Sequence, residues 1–216
     1  MNAETTKIMG GIGSLLMFIG AIPIRFASII SFVGLILLLV ALYSYAGIYR
    51  ERGIFNNFLY GILIGIVGAV VAAGVAIATV LASLMTLLYA LYPGWNGDWM
   101  ALSGMTPDIS NITPGNILPL VGGLILVIVI AWVVIIVVAI FMRRSFNALA
   151  AKTNVNLFST AALILLIGAF LTILAVGFLL IWISFLLIAI AFFKMKPQPE
   201  YTAPPVATAP PASTTA

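Results

Sequence analysis

No cysteine and no histidine occurs anywhere in the 216 residues. Their absence removes disulfides, thiolate metal sites, imidazole catalysis and histidine-based pH switching together. Charge is the next scarcity: Asp, Glu, Lys and Arg make up 6% of the chain, against about 25% in soluble domains. So few ionised groups cannot coat a globular surface. The ten-residue alternating segments that build a transmembrane β-barrel are missing as well. The long apolar runs contain no ionisable Asp, Glu, Lys, Arg or His at all. Pumps, proton-coupled carriers and intramembrane aspartyl or metalloproteases therefore lose the groups they require. A serine mechanism would lack its base.

What the chain has is apolar length. Hydrophobic residues are 64% of it, and they fall in five runs: Ile8–Ile22, Phe26–Tyr49, Phe55–Leu91, Ile117–Met142 and Leu157–Phe193. Runs of this kind specify membrane-spanning helices, because only a helix satisfies its own backbone in hydrocarbon. Lys7 before the first run imitates a signal peptide, but Glu4 and the apolar run that follows at once favour a first span. That run is short, about 22 Å as helix, so local thinning or snorkelling is expected around it. Pro23 and Arg25 mark a tight hairpin to the second. "RERG" separates the second run from the third. "MRRSFNALAAKTNVN" separates the fourth from the fifth and reads as a connection along the membrane surface. The loop over residues 93–116 carries Asp98 and Asp108 but no Lys or Arg, and its Trp95 and Trp99 are spaced like interfacial anchors.

Two runs, Phe55–Leu91 and Leu157–Phe193, are 37 residues each, about 55 Å as helix against roughly 30 Å of hydrocarbon. Charge decides which one folds back. With the N-terminus inside, a single crossing by residues 55–91 and a hairpin near Gly177, eight of the nine basic side chains lie inside and only Arg25 lies outside. A single crossing by the last run gives six against three; folding both long runs gives three against six. Cytoplasmic loops are enriched in Lys and Arg, so the first arrangement is preferred. The surplus of the third run, "ASLMTLLYALYPGW", is expected to project beyond the outer face or lie along it, under the loop. An internal similarity supports the last hairpin: "FIGAIPIRFASIISFVGLILLLVALYSY" aligns with "LIGAFLTILAVGFLLIWISFLLIAIAFF" on their Ile-Gly-Ala triplets.

The expected fold is all-α: a polytopic transmembrane helical bundle over residues 1–195, about six spans (8–22, 26–49, 55–91, 117–142, 157–175, 178–193). Both termini are cytoplasmic, and a Pro/Ala/Thr-rich tail over residues 196–216 is expected to be disordered with polyproline II character. The +4 net charge is spread in clusters at the ends of apolar runs, which reads as topology rather than nucleic-acid binding.

The segments "KIMGGIGSLLMFIGAIPI", "VGLILLLVALYSYAGIYRERGIFNNFLYGILIGIVGAV" and "LLIGAFLTILAVGFLLIWISFLLIAIAFF" resemble a family of small multi-span membrane proteins of unknown function, found largely in archaea. The resemblance covers about residues 5–195 and rests on glycines and aliphatics in order, with Ile54, Phe55 and Asn56. It implies topology and no activity. Some relatives carry a zinc ribbon after a proline-rich linker; this chain has the linker-like tail and no Cys, so zinc binding does not carry over.

Gly61, Gly65, Ala69 and Ala73 recur every four residues and form one small-residue stripe for helix packing, within the monomer or with a second copy. Gly10, Gly11, Gly13 and Ser14 do similar service in the first span, and Gly11-x-Gly13 lacks the βαβ context of a nucleotide site. Arg25, Trp95 and Trp99 read as interfacial anchors, Asp98 and Asp108 as solvated loop acids, and Asn111 as the head of a sequon followed by Pro114. Ser14, Ser31, Thr79, Ser83, Thr172 and Ser184 can bond back to helix carbonyls. No catalytic residue, cofactor, metal or small-molecule ligand is assigned. The expected partners are the lipid bilayer and a second copy or another membrane protein. The function expected is non-enzymatic (assembly, scaffolding or envelope maintenance in the cell membrane); the alternative is a passive channel or facilitator for a small neutral or hydrophobic solute.

Overall fold

The computed structural model describes residues 2–22 and 25–196; the proline-rich tail from residue 197 onward lies outside them. The described residues form six α-helices and no strand: α1 (Ala3–Gly20), α2 (Ala27–Ile48), α3 (Arg52–Leu91), α4 (Pro114–Thr153), α5 (Asn156–Leu171) and α6 (Val176–Lys194). Five of them, α2 to α6, are long and apolar enough to cross a membrane. Each helix packs on its neighbours in the chain, and α1 also packs on α6, so the six close a ring in chain order. One end of the ring carries residue 2, the α2–α3 and α4–α5 connections and Lys196; it is called the termini end below. The long loop over residues 92–113 stands at the far end of α3 and α4.

Local chemistry sets the boundaries. The Asn2 side chain accepts from Glu4 N–H at 3.1 Å, which starts α1 five residues before the first apolar run. Thr113 and Asn116 form a capping box ahead of Pro114, which occupies the first helical position, where its missing N–H costs nothing.

α3 and α4 are each 40 residues, about 60 Å long, and run antiparallel along their whole length. Near the termini end the Ser145 hydroxyl donates to the Ile54 carbonyl, and Lys152 reaches Glu51 at 3.5 Å. Midway, Gly61 and Gly65 admit Val138, and toward the loop Gly123 lies against Thr79. Residues 55–91 are thus part of one continuous helix. Its outer part is accompanied by the outer part of α4, and Asp108 N–H closes the loop onto the Leu91 carbonyl at 2.7 Å.

The surface connection expected over residues 142–156 is corrected. α4 continues through Arg143 and Arg144 to Thr153, and Ser145, Phe146, Leu149 and Ala150 are buried. Arg144 is exposed, and Arg143 beside it is half-buried. The connection shrinks to Asn154 and Val155, with Asn154 in the left-handed conformation (φ 55°) that ends helices.

The last run does fold back near Gly177, with the turn itself just ahead of it. A 3-10 turn over Thr172–Leu174 leads to Ala175 at φ 62°, and Gly177 lies in the first turn of α6. Gly177 is needed for proximity: a Cβ there would collide with the carbonyl oxygen of Gly168. In the first hairpin Gly20 stands in the matching place, where a Cβ would meet the Ala27 carbonyl oxygen at 2.8 Å. Both Ile-Gly-Ala triplets thus sit where the first helix of a hairpin crosses close to the second.

The two hairpin tips are tied by tryptophans. Trp182 Nε1 donates to the Phe18 carbonyl at 2.8 Å and Trp132 Nε1 to the Phe170 carbonyl at 3.1 Å. Both acceptors lie in the last turn of a helix, where carbonyls run short of intrahelical donors. The second tie also fixes a level: the α5–α6 tip reaches only to Trp132. Beyond it, α3 from about residue 71 and α4 before residue 131 continue for about 27 to 31 Å.

Candidate functional site

The core is unevenly filled along the ring. At the termini end it is packed with aromatics. Phe58 meets Phe146 edge to face at 5.9 Å, Phe146 stacks on Phe158 at 6.3 Å, and Phe158 meets Phe192 edge to face at 4.9 Å. Tyr45 of α2 adds a ring 6.1 Å from Phe192. These rings are fully or almost fully buried.

Seven residues along each helix, about 10 Å further from the termini end, the same faces carry Gly65, Ala139, Leu165 and Phe185. Three of the four rings give way to smaller groups, and space opens. The result is a cavity of about 390 Å³ between α3, α4, α5 and α6. Gly65, Gly68, Ala69 and Ala72 supply its α3 wall, while α4 contributes Ala131 to Met142, α5 Leu165 and Ala169, and α6 Ile181 and Phe185. No lining side chain carries an oxygen or nitrogen, and neither α1 nor α2 contributes. Of all neighbouring pairs in the ring, α2 and α3 make the slightest contact.

The space is partly open rather than sealed, and its wholly apolar lining suits an apolar group; water would find there none of the two to four polar partners it needs. The space offers no nucleophile, base or ligand for a metal. Among the described residues no cluster of three His, Cys, Asp or Glu side chains is placed to hold a metal ion.

The residues singled out from the sequence are distributed unevenly about this site. In the stripe on α3, Gly61 and Gly65 face α4 of the same chain, where a Cβ at either would stand 3.4 Å from it. Ala69 lines the cavity and Ala73 is exposed. The contact face bends toward Gly68, whose α-carbon lies so near Val134 that a Cβ would come within 2.5 Å of it. A strict four-residue step drifts around a helix of 3.6 residues per turn, and the alternating three- and four-residue steps 61, 65, 68, 72 follow the face. Gly13 and Gly34 make the equivalent backbone approach between α1 and α2.

Arg25 is exposed in the α1–α2 connection. Trp99 is 54% exposed and Trp95 4% exposed, so of the two expected anchors Trp95 turns its ring into the loop. Its indole donates to the Asp98 carbonyl at 2.6 Å, and its ring packs between Tyr89 and Trp99. It forms the core of the loop. Asp98 and Asp108 each accept from backbone N–H groups two residues on. Hydrogen bonds from the Ser110 hydroxyl and backbone, and then from Asn111, hold the Asp108 carboxyl below the usual range. Five of the six helix hydroxyls behave as expected: Ser14, Thr79, Ser83 and Thr172 donate to carbonyls four residues back and Ser184 to one three back, while Ser31 lies against Gly20.

Comparison with known proteins gives a family without an activity. The DUF996 family, described as proteins of unknown function, matches over residues 30–186, and the chain belongs to it. The matched span runs from the first turn of α2 into α6 and contains every lining residue of the cavity. An uncharacterized protein of Methanocaldococcus jannaschii, MJ1644, is 24% identical over 195 residues, covering 90% of this chain and 94% of that one. No solved structure matches.

Proposed function

We propose that this member of the DUF996 family is a multi-pass protein of the cell membrane that works without catalysis, in assembly or upkeep of the envelope, by offering helix surfaces to other membrane helices. The termini end faces the cytoplasm in this reading, since Lys7, Arg50, Arg52, Lys152, Lys194 and Lys196 gather there. Arg143 and Arg144 lie about 15 Å short of the end of α4 and reach back by snorkelling.

One observation carries the reading. The four shorter helices fit one hydrocarbon thickness, about 30 Å, whereas the α3–α4 pair runs about twice as far. Its outer section has no charged side chain from residue 71 to 91 or from 114 to 131, and it is bare: Ile77 is 65% exposed and Leu118 72%. An apolar rod of that length exceeds what tilt accommodates, and water does not tolerate it. Helices of a neighbouring membrane protein or of a second copy would cover it.

The Cys-free chain makes the test direct. A photoreactive side chain placed at Leu118 or Ile77 is expected to yield protein adducts on irradiation in native membranes, and one at Ser103 in the loop is not. Adducts with lipid alone at both positions would overturn the assembly role. Gly65 is unsuitable for such a test, because it faces α4 within the chain.

The cavity favours a second reading, the passive facilitator. A neutral or apolar solute could enter the space between α3 and α6, and the aromatic cluster below it would be the gate.

A further inference from the structure

We infer that the part of α4 bearing Arg143, Arg144 and Asn147 binds the headgroup of one membrane phospholipid, of the kind whose phosphate is accompanied by an N–H donor. The inference goes beyond the assembly reading and holds whichever helices cover the outer section of α3 and α4.

The first ground is unspent charge. Among the described residues Lys152 has Glu51 at 3.5 Å, whereas neither arginine has an acidic partner. Arg144 is exposed, and its guanidinium lies over the Phe141 ring, 5.7 Å from the centroid. A ring beneath a guanidinium steadies its plane, and the free fork of N–H donors suits two phosphate oxygens.

The second ground is level. Phe141 meets Tyr60 of α3 edge to face at 6.4 Å, and Tyr60 is 50% exposed, as suits a ring in the headgroup layer. On α5 the exposed positions change from Asn156 and Thr160 to Leu163 and Ile167. Because Phe146 stacks on Phe158, Thr160 stands about level with Arg144 in the antiparallel pair. Three helices thus change from polar to apolar at one height. The arginines lie about 15 Å short of the end of α4, more than snorkelling spans, so headgroups must come part of the way to them.

The third ground is a missing donor. The Asn147 carboxamide oxygen is shut off from solvent and accepts no hydrogen bond, a state that buried acceptors rarely keep. Asn147 as a whole is only half-buried, so a turn of its carboxamide presents the oxygen at the surface once a donor stands there. It follows Arg143 by four residues and Arg144 by three, a spacing that sets β-carbons about 5 to 6 Å apart. In an ethanolamine headgroup two carbons link the phosphate ester oxygen to the ammonium. A phosphate on the arginines therefore brings N–H donors beside Asn147. Choline offers the same phosphate and the same charge but no N–H.

The experiment reconstitutes the full chain in bilayers of phosphatidylcholine and phosphatidylethanolamine at equal abundance, extracts it in mild detergent and counts retained lipids by native mass spectrometry. One phosphatidylethanolamine per chain is expected, favoured about tenfold over phosphatidylcholine, which is about 1.4 kcal/mol. Asn147→Leu should bring that ratio to about one, and the double variant Arg143→Gln, Arg144→Gln should lower retention of both lipids. Arg25→Gln, at the opposite end of the bundle, leaves retention unchanged. Asn147→Ala serves if leucine prevents folding, and the ratio in the unaltered chain decides alone if neither variant folds. Equal retention of the two lipids by the unaltered chain would mean that water satisfies Asn147 and would overturn the site. So would a preference that survives Asn147→Leu. Release of the lipid by excess inorganic phosphate would show a site for a free anion rather than a headgroup, and would overturn the inference equally.

Discussion

Gly177→Ala is expected to cost about 3 kcal/mol and to loosen the α5–α6 hairpin, whereas Ala175→Gly, two residues away, is expected to stabilise by about 0.5 kcal/mol. The two changes exchange the same pair of residue types, and the structure gives them opposite signs. At position 177 the added Cβ would collide with backbone atoms, the Gly168 carbonyl oxygen and the amide nitrogen of Thr172. No rotamer moves backbone aside, so the helices must separate and lose contact along their length. Within a bilayer that contact is most of what holds two helices together, because lipid tails are as apolar as the side chains they would replace. At position 175 the chain already sits at φ 62°, where an L-residue is strained by about 1 to 2 kcal/mol. Glycine removes the strain and returns part of the gain as unfolded-state entropy. Reversible denaturation in mixed detergent micelles reads both. Equal losses at the two positions would mean that the turn lies at Gly177 after all.

The fold-back itself was legible from charge counting and its turn to within two residues, but not which residue takes the left-handed conformation. Sequence reading favours glycine for a left-handed residue, and here the glycine is spent on closeness and an alanine accepts the strain. α4 differs for a related reason. Arg143 and Arg144 end the apolar run, yet a helix ends where its hydrogen bonds and packing end, ten residues later. The five apolar runs together with the charge count point to six helices and leave their lengths open. The small-residue stripe was half legible: a four-residue step found Gly61 and Gly65 but strayed to exposed Ala73, missing Gly68 and Ala72. The cavity was not legible at all, because it arises from the level at which four separate helices change from Phe to smaller groups. A signal existed in the seven-residue steps Phe58 to Gly65, Phe146 to Ala139, Phe158 to Leu165 and Phe192 to Phe185. It becomes readable only once the antiparallel register of the helices is known. Trp95 shows the limit from the other side: a tryptophan near a membrane face is as useful for packing a loop as for anchoring it.

Phe158→Ala is the second large effect, expected to cost about 3 kcal/mol, while Phe178→Ala at an exposed position of α6 should change stability by less than about 0.5 kcal/mol. Phe158 is the central ring of the cluster, touching both Phe146 and Phe192, so its removal strands two neighbours as well as leaving a hole. The loss is placed at the low end of the range for Phe to Ala, because the alternative environment of α5 is lipid rather than water and the transfer component shrinks. What remains is dispersion energy and the cavity. The same change bears on function, since the hole opens directly beneath the existing space and carries it toward the termini end. If the protein is a passive facilitator gated by these rings, Phe158→Ala raises the flux of a small neutral solute into liposomes at a protein density where the unaltered chain gives little. If helix assembly is the working role, the flux stays at the background of protein-free vesicles in both proteins, although the variant melts at a lower temperature. Stability and flux thus separate the two readings in one variant: a fall in the first is required by the packing in either case, and only the second discriminates.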